Sequence, residues 1–277
     1  MEFLMRDGVA LSDKVWEAID SAVVKAAKGT LTGRRFLPLY GPLGAGVQNV
    51  SVDTYACAEA AAPDFFGDND DEPVQITGRQ FAPLPVLFKD FVLSWRDLEE
   101  AKMFDRLPDM GVVSAAATFC AQKEEQMIYL GCGKAGCEGL ANASGALKLK
   151  KGDWSKDESA FADIVKGLQH FTAKNISGRY ALVVSPDLYA QLQHLQPGTG
   201  VLESERIKAL VGNIFVTPVL GAGKAVLVCP EAQNMDLAVG QDYVTGYLGS
   251  EKLNHLFRIM ETARLRIKRA DAIVIYG

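Results

Sequence analysis

Cysteine is scarce and odd in number, with five in 277 residues, at Cys57, Cys120, Cys132, Cys137 and Cys229. A disulfide-stapled secreted domain carries an even, closely spaced set, so reduced thiols in a cytoplasmic protein are the expectation. The opening stretch, MEFLMRDGVALSD, is broken by Glu2, Arg6 and Asp7 and lacks the apolar core of a signal peptide. The longest apolar run, over 110–121, is too short and too rich in small residues to cross a bilayer. No excess of basic charge is present. The net charge is −5, which speaks against a general binder of the nucleic-acid backbone.

Recognisable chemistry is equally sparse. The three histidines, His170, His194 and His255, are scattered, and two of them sit on or at the end of predicted helices. Neither a G-x-S-x-G elbow nor a phosphate-binding glycine motif opening a helix is present. Cys132 and Cys137 form one loose pair with no histidine nearby, whereas structural zinc sites bring two tighter pairs. The acids Asp68, Asp70, Asp71 and Glu72 suggest calcium, but the EF-hand's sixth and twelfth positions fall on Pro73 and Arg79. No metal site and no catalytic residue is therefore expected.

What is present is a globular chain, 48% hydrophobic and 23% charged, with mixed elements. Trp16, Ile19 and Val23 recur at helical spacing over 12–29, with Ser12 placed as N-cap and Gly29 as stop. A long helix is expected from a cap at Asp109 to Leu130. Another is expected over 158–173, with Phe161, Ile164, Val165, Leu168 and Phe171 as its apolar stripe. Ser185 and Pro186 start a fourth, and LESERIKALVG is a fifth. Short strands are expected in LFKDFVLSW, YALVVS, NIFVTP and KAVLVCP.

Residues 47–83 show no helix, hold five acids in the nine residues 64–72, and read as an extended arm. Near the end, Phe257, Ile259, Ala263, Leu265 and Ile267 share one strand face, interrupted by Glu261. Arg258, Arg264, Arg266 and Lys268 share the other, a basic face that requires water or acids. In VGQDYVTGY, Asp242 reads as the capping side chain of a turn between strands. Helices and strands do not alternate regularly, so the class is α+β.

Several stretches, taken in order, resemble the encapsulins, shell proteins with the fold of tailed-phage major capsid proteins. They are FLMRDGVALSDKVWEAID, GRRFLPLYGPLG, LPVLFKDFVLSWRDLEEA, YLGCGKAGCEGL, GRYALVVSPDLY, VTPVL and VGQDYVTGY, and together they span almost the whole chain. The resemblance implies a peripheral domain built from 1–46, 84–132 and 223–277, an extended loop over 47–83, and an axial domain over 133–222.

It further implies a subunit that self-assembles into an icosahedral nanocompartment around a cargo enzyme, such as a ferritin-like iron-storage protein or a peroxidase, with no catalysis of its own. A short targeting peptide on the cargo would dock at Arg34, Phe36, Leu39, Leu237 and Val239. A small pore would be lined by Gln196, Pro197, Gly198, Thr199 and Gly200. Some members bind flavin beside a tryptophan in the segment that holds Trp95, although the spacing here is shifted by one residue. Neither nucleic acid nor membrane is an expected partner. Competing readings are a prophage major capsid protein of the same architecture and a cysteine or serine hydrolase.

Overall fold

The computed structural model describes residues 1–55, 73–133, 136–156, 158–196 and 200–277. Helical periodicity is realised as α1 (Asp13–Thr30), which buries Trp16, Ile19, Val23 and Ala27 and runs through Gly29 before ending. It packs along α3 (Gly111–Leu130), a spine whose 20 residues extend about 30 Å. The N-cap is Met110 and not Asp109, but Asp109 just before it accepts a hydrogen bond from the Gly111 amide at 2.9 Å. Small residues, Ala116, Ala117 and Ala121, let neighbouring elements approach the spine on several sides.

Against the spine lies a four-stranded sheet. Its order is β1 (Leu39–Tyr40), β9 (Met235–Glu251), β10 (Asn254–Ile267) and β4 (Val86–Leu93). The buried ring of Phe257 on β10 stacks on Phe91 of β4 with centroids 5.2 Å apart and meets Trp16 of α1 edge-on at 5.7 Å. Burying such a ring contributes roughly 1.5–3 kcal/mol.

A second sheet follows the order β5 (Leu147–Leu149), β11 (Ile273–Tyr276), β8 (Ala225–Val228), β6 (Ala181–Val184) and β7 (Asn213–Val216). With it go α4 (Ser159–Ala173), α5 (Pro186–Gln191) and α6 (Glu203–Val211). Strands β6 and β8 are buried at every residue, which accounts for their unbroken apolar runs. One continuous apolar core joins the two sheets, with Phe36 against Phe215 among its contacts. A two-stranded hairpin of β2 (Asn49–Tyr55) and β3 (Ile76–Pro83) stands apart as a third sheet, and α2 (Trp95–Met103) follows β4.

One expectation fails here. VGQDYVTGY is the middle of β9 and not a turn. The turn comes later, where Lys252 and Leu253 both adopt positive φ. The glycines of that stretch serve close approach: a Cβ on Gly240 would sit 2.4 Å from Thr262 Oγ1 and 2.7 Å from Leu84 Cδ2. The ladder also slips opposite Gln241, and the adjoining Asp242 reaches Arg34.

The basic face of β10 finds acids, one of the two partners expected for it. Arg264 and Arg266 are buried, 7% and 6% exposed. Arg266 makes a two-pronged ion pair with Asp236, which Lys268 joins at 2.7 Å, and Arg258 pairs with Asp90. The acids come from within the same subunit.

Candidate functional site

The residues expected to receive a cargo peptide do come together, around a buried ionic knot. Past the end of α1 the chain makes a tight helical turn, Gly33–Arg35, pinned by two neighbouring acids of the spine. Glu125 Oε1 accepts from the backbone amides of Thr32 and Gly33, both at 2.8 Å, and its other oxygen accepts from the Thr32 hydroxyl. The turn aims Arg34 inward. Its Nε donates to Glu124 at 2.7 Å, Nη1 to Asp242 at 2.9 Å and Nη2 to Glu261 at 2.6 Å. Tyr243 donates its hydroxyl to the second oxygen of Glu124 at 2.9 Å.

Glu124 and Glu261 are both fully buried. Burial first, and then the charge of Glu124, hold the Glu261 carboxyl well above the usual carboxylate range, against the pull of Arg34. One guanidinium therefore joins two buried carboxyl groups and the exposed Asp242, in surroundings that favour the protonated form of Glu261. The same surroundings push the nearby Cys120 thiol up to about 12, chiefly by burial and then by Glu261 and Glu124.

This geometry divides the five expected docking residues. Arg34 has every guanidinium nitrogen bonded and acts as a structural rivet. Phe36, Leu237 and Val239 are core residues, 7%, 0% and 4% exposed. Leu237 lies on β9 opposite Leu39 of the parallel strand β1, and Phe36 packs against Phe215. Only Leu39, at 54%, presents itself to the outside, beside the half-exposed Tyr40, whose ring lies 3.9 Å from the guanidinium of Arg266. The outer face of α1 adds a shallow depression of about 560 Å³ lined by Asp20, Ser21, Val24, Lys25 and Lys28, with Val24 exposed.

Of the expected pore residues, Pro197, Gly198 and Thr199 lie outside the described residues. Gln196 and Gly200 flank them, with the Gln196 amide donating to Val201 O at 2.9 Å and the Gly200 amide donating to Gln196 O at 3.2 Å. At the base of that loop His194 Nε2 stands 2.9 Å from the buried Glu203 carboxylate.

Trp95 opens α2 and is half-exposed over a cleft of about 910 Å³ shared with Val9, Leu11, Leu98, Pro108 and His255. A flavin ring requires a face to stack on and donors aimed at its polar edge. Trp95 supplies the face. None of the buried polar atoms that lack a hydrogen bond among the described residues lines this cleft, so the flavin expectation finds only part of its partner set. No cluster of three or more metal-ligating side chains occurs among the described residues, and no described helix is long and apolar enough to cross a membrane.

Among the described residues, the arm and the sheet edge that follows it carry several open apolar side chains. The hairpin exposes Ile76 and Phe81, the latter 74% accessible, and Val74 just before it. Strand β4, at the edge of its sheet, exposes Val86, Phe88 and Val92, with Phe119 of the spine also open. The root of the hairpin is held firmly. Arg264 donates to Pro83 O at 2.9 Å, Arg266 donates to Ser51 O at 2.8 Å, and Val50, Ala82 and Leu84 pack with Ala238. A rooted hairpin with open apolar side chains, next to a strand edge unpaired among the described residues, is a surface that favours burial by another chain. The sequence indicated an arm here, but the buried acids that rivet the body gave no sign: Glu124 and Glu125 look like ordinary surface residues of a helix.

The sequence profile of the family described as "Encapsulating protein for peroxidase" matches residues 1–264. The type 1 encapsulin shell protein EncA of Myxococcus xanthus is 38% identical over 273 residues, covering 98% of this chain and 95% of that protein. Among solved structures, a virus-like particle from Pyrococcus furiosus aligns with a TM-score of 0.76 at 23% identity, over 95% of this chain and 99% of that one. The capsid of Myoviridae phage XM1 aligns with a TM-score of 0.66 at 13% identity, over 89% and 91%, a likeness of fold alone. With a profile match over nearly its whole length and a relative this similar, the chain belongs to the encapsulin shell-protein family.

Proposed function

We propose that this chain is the subunit of a closed icosahedral shell that encloses a cargo enzyme, and that it performs no catalysis itself. The single observation that carries the reading is the rooted arm with Ile76 and Phe81 in the open beside the edge strand β4. A lone two-stranded hairpin is marginal in water and gains stability when it lies on a neighbour. In the proposed division of labour, the four-stranded sheet with α1 and the spine forms the peripheral domain. The five-stranded sheet with α4 to α6 forms the axial domain, which takes β8 and β11 from the stretch 223–277 that the resemblance assigned to the peripheral domain, and the hairpin forms the extended loop. Heterologous contacts of this kind assemble many copies and stop only when symmetry closes them.

The chemistry of the described thiols supports a non-enzymatic reading. Cys120 and Cys229 are buried in the core and their thiol pKa values are raised, chiefly by burial, so they are poor nucleophiles at neutral pH. Purified protein should elute at megadalton size and appear as hollow particles by negative-stain microscopy. A monomer or small oligomer across a range of salt would sink the proposal.

For cargo, the proposed contact is the surface above the knot, with Leu39 and Val24 as apolar contacts and Lys25 and Lys28 as flanking charges. Phe36, Leu237 and Val239 support it from below. Leu39→Asp should lower the cargo copurified per shell several-fold while leaving particles intact. Equal loading in the variant would remove Leu39 from the docking surface.

A further inference from the structure

Cys132 and Cys137 follow the spine helix and face each other across an isolated antiparallel bridge. They exchange both backbone hydrogen bonds, Cys132 N–H to Cys137 O at 2.9 Å and Cys137 N–H to Cys132 O at 3.1 Å. In an antiparallel pair that exchanges both bonds, the Cα atoms stand about 5.5 Å apart with both side chains on one face. That spacing falls within the roughly 4.4–6.8 Å a disulfide spans. The Cys137 sulfur already lies 3.5 Å from the Cys132 carbonyl oxygen.

The two thiols are unequal. Cys132 is half-buried, whereas Cys137 is 7% exposed, and the other described cysteines, Cys120 and Cys229, are buried elsewhere in the core. The buried Arg264 adds a charge at the same loop, donating from Nη2 to Gly136 O at 3.0 Å and from Nη1 to Pro83 O, at the root of the arm. Its positive charge opposes the burial that otherwise raises the Cys137 thiol.

We propose that Cys132 and Cys137 form a peroxide-sensitive dithiol that closes into a disulfide within one chain, stapling the loop that Arg264 ties to the arm's root. Cys132, the accessible thiol, reacts first as its thiolate. Its sulfur attacks one oxygen of hydrogen peroxide, the O–O bond breaks, hydroxide leaves, and Cys132 becomes a sulfenic acid. The Cys137 sulfur then displaces hydroxide from the Cys132 sulfur and gives up its proton, so that water leaves and the S–S bond forms. In sum, two thiols and one peroxide yield one disulfide and two waters. A short-range bridge that the half-buried Cys132 leaves accessible is reducible, in keeping with reduced thiols under resting cytoplasmic conditions.

Trypsin cuts after Lys123, Lys134 and Lys148, so the two cysteines leave on separate peptides, 124–134 and 135–148, unless they are joined. Assembled protein treated with a modest excess of hydrogen peroxide, then denatured, alkylated and digested, should show these two peptides linked. The intact chain should lose about 2 Da, and two of the five thiols per chain should become unreactive until a reductant is added. Cys132→Ser should abolish the linkage, and Cys229→Ser should leave it intact. Amide exchange over 76–83 should slow on oxidation of the native protein and not of Cys132→Ser. Oxidation to sulfinic acid without linkage, or disulfide dimers between chains through Cys132, would overturn the proposal. Linkage with unchanged exchange over 76–83 would overturn its coupling to the arm.

Discussion

Strands β6 and β8 and the arm hairpin handle their apolar side chains in opposite ways. Every residue of Ala181–Val184 and Ala225–Val228 is buried within the subunit, whereas β3 leaves Ile76 and Phe81 in the open. The five-stranded sheet is complete in one chain. The arm is complete only at its root, where buried arginines hold its carbonyls. The contrast separates what folds a subunit from what joins subunits, and it can be tested by damaging each part in turn.

The largest effect is expected in the body. Arg34→Ala would leave Glu124 and Glu261 buried without their cation, at a cost of about 3–5 kcal/mol. Denaturant unfolding of the disassembled subunit measures this, and a loss under about 1 kcal/mol would show that the knot is not what holds the Gly33–Arg35 turn. Phe81→Asp should do the reverse, keeping the subunit's unfolding midpoint while preventing assembly in size-exclusion chromatography. Intact shells from that variant would mean that the open face of β3 is not an interface.

The pH dependence comes next. The folded pKa of Glu261 lies above its ordinary 4.5, so its contribution is full below that value and is lost as pH rises through the folded pKa. Glu261→Gln cannot lose a proton, so its stability relative to the native chain should improve as the pH is raised above 4.5. A parallel pH profile for the two proteins would contradict the protonated form of Glu261. The smallest effect is expected on the sheet surface. Asp90→Ala breaks a partly exposed pair with Arg258 and should change stability by about 1 kcal/mol or less.

Much of this molecule can be read locally. A stripe of Trp16, Ile19 and Val23 is enough to call for α1, because a helix brings such residues to one face whatever lies opposite. Asp109 two residues before Gly111, and Pro186 after Ser185, mark helix starts by backbone chemistry alone. The arm was legible from what 47–83 lack, and the order of the family-like stretches fixed the α+β capsid-type architecture.

The site was not legible in the same way. Arg34 meets partners 90, 208 and 227 residues away, and no periodicity carries information over such distances. Phe36, Leu237 and Val239 look like groove residues in a linear reading and are core residues in the fold. Asp242 changes most. Its neighbours suggest a turn, yet it lies within a long strand, at a slip in the ladder, where its carboxylate reaches Arg34. Secondary structure depends on neighbours a few residues apart, so the chain itself dictates it. The charge state of Glu261, the burial of β10's arginines and the exposure of Phe81 depend on which distant segments close over them, and only the tertiary structure decides that.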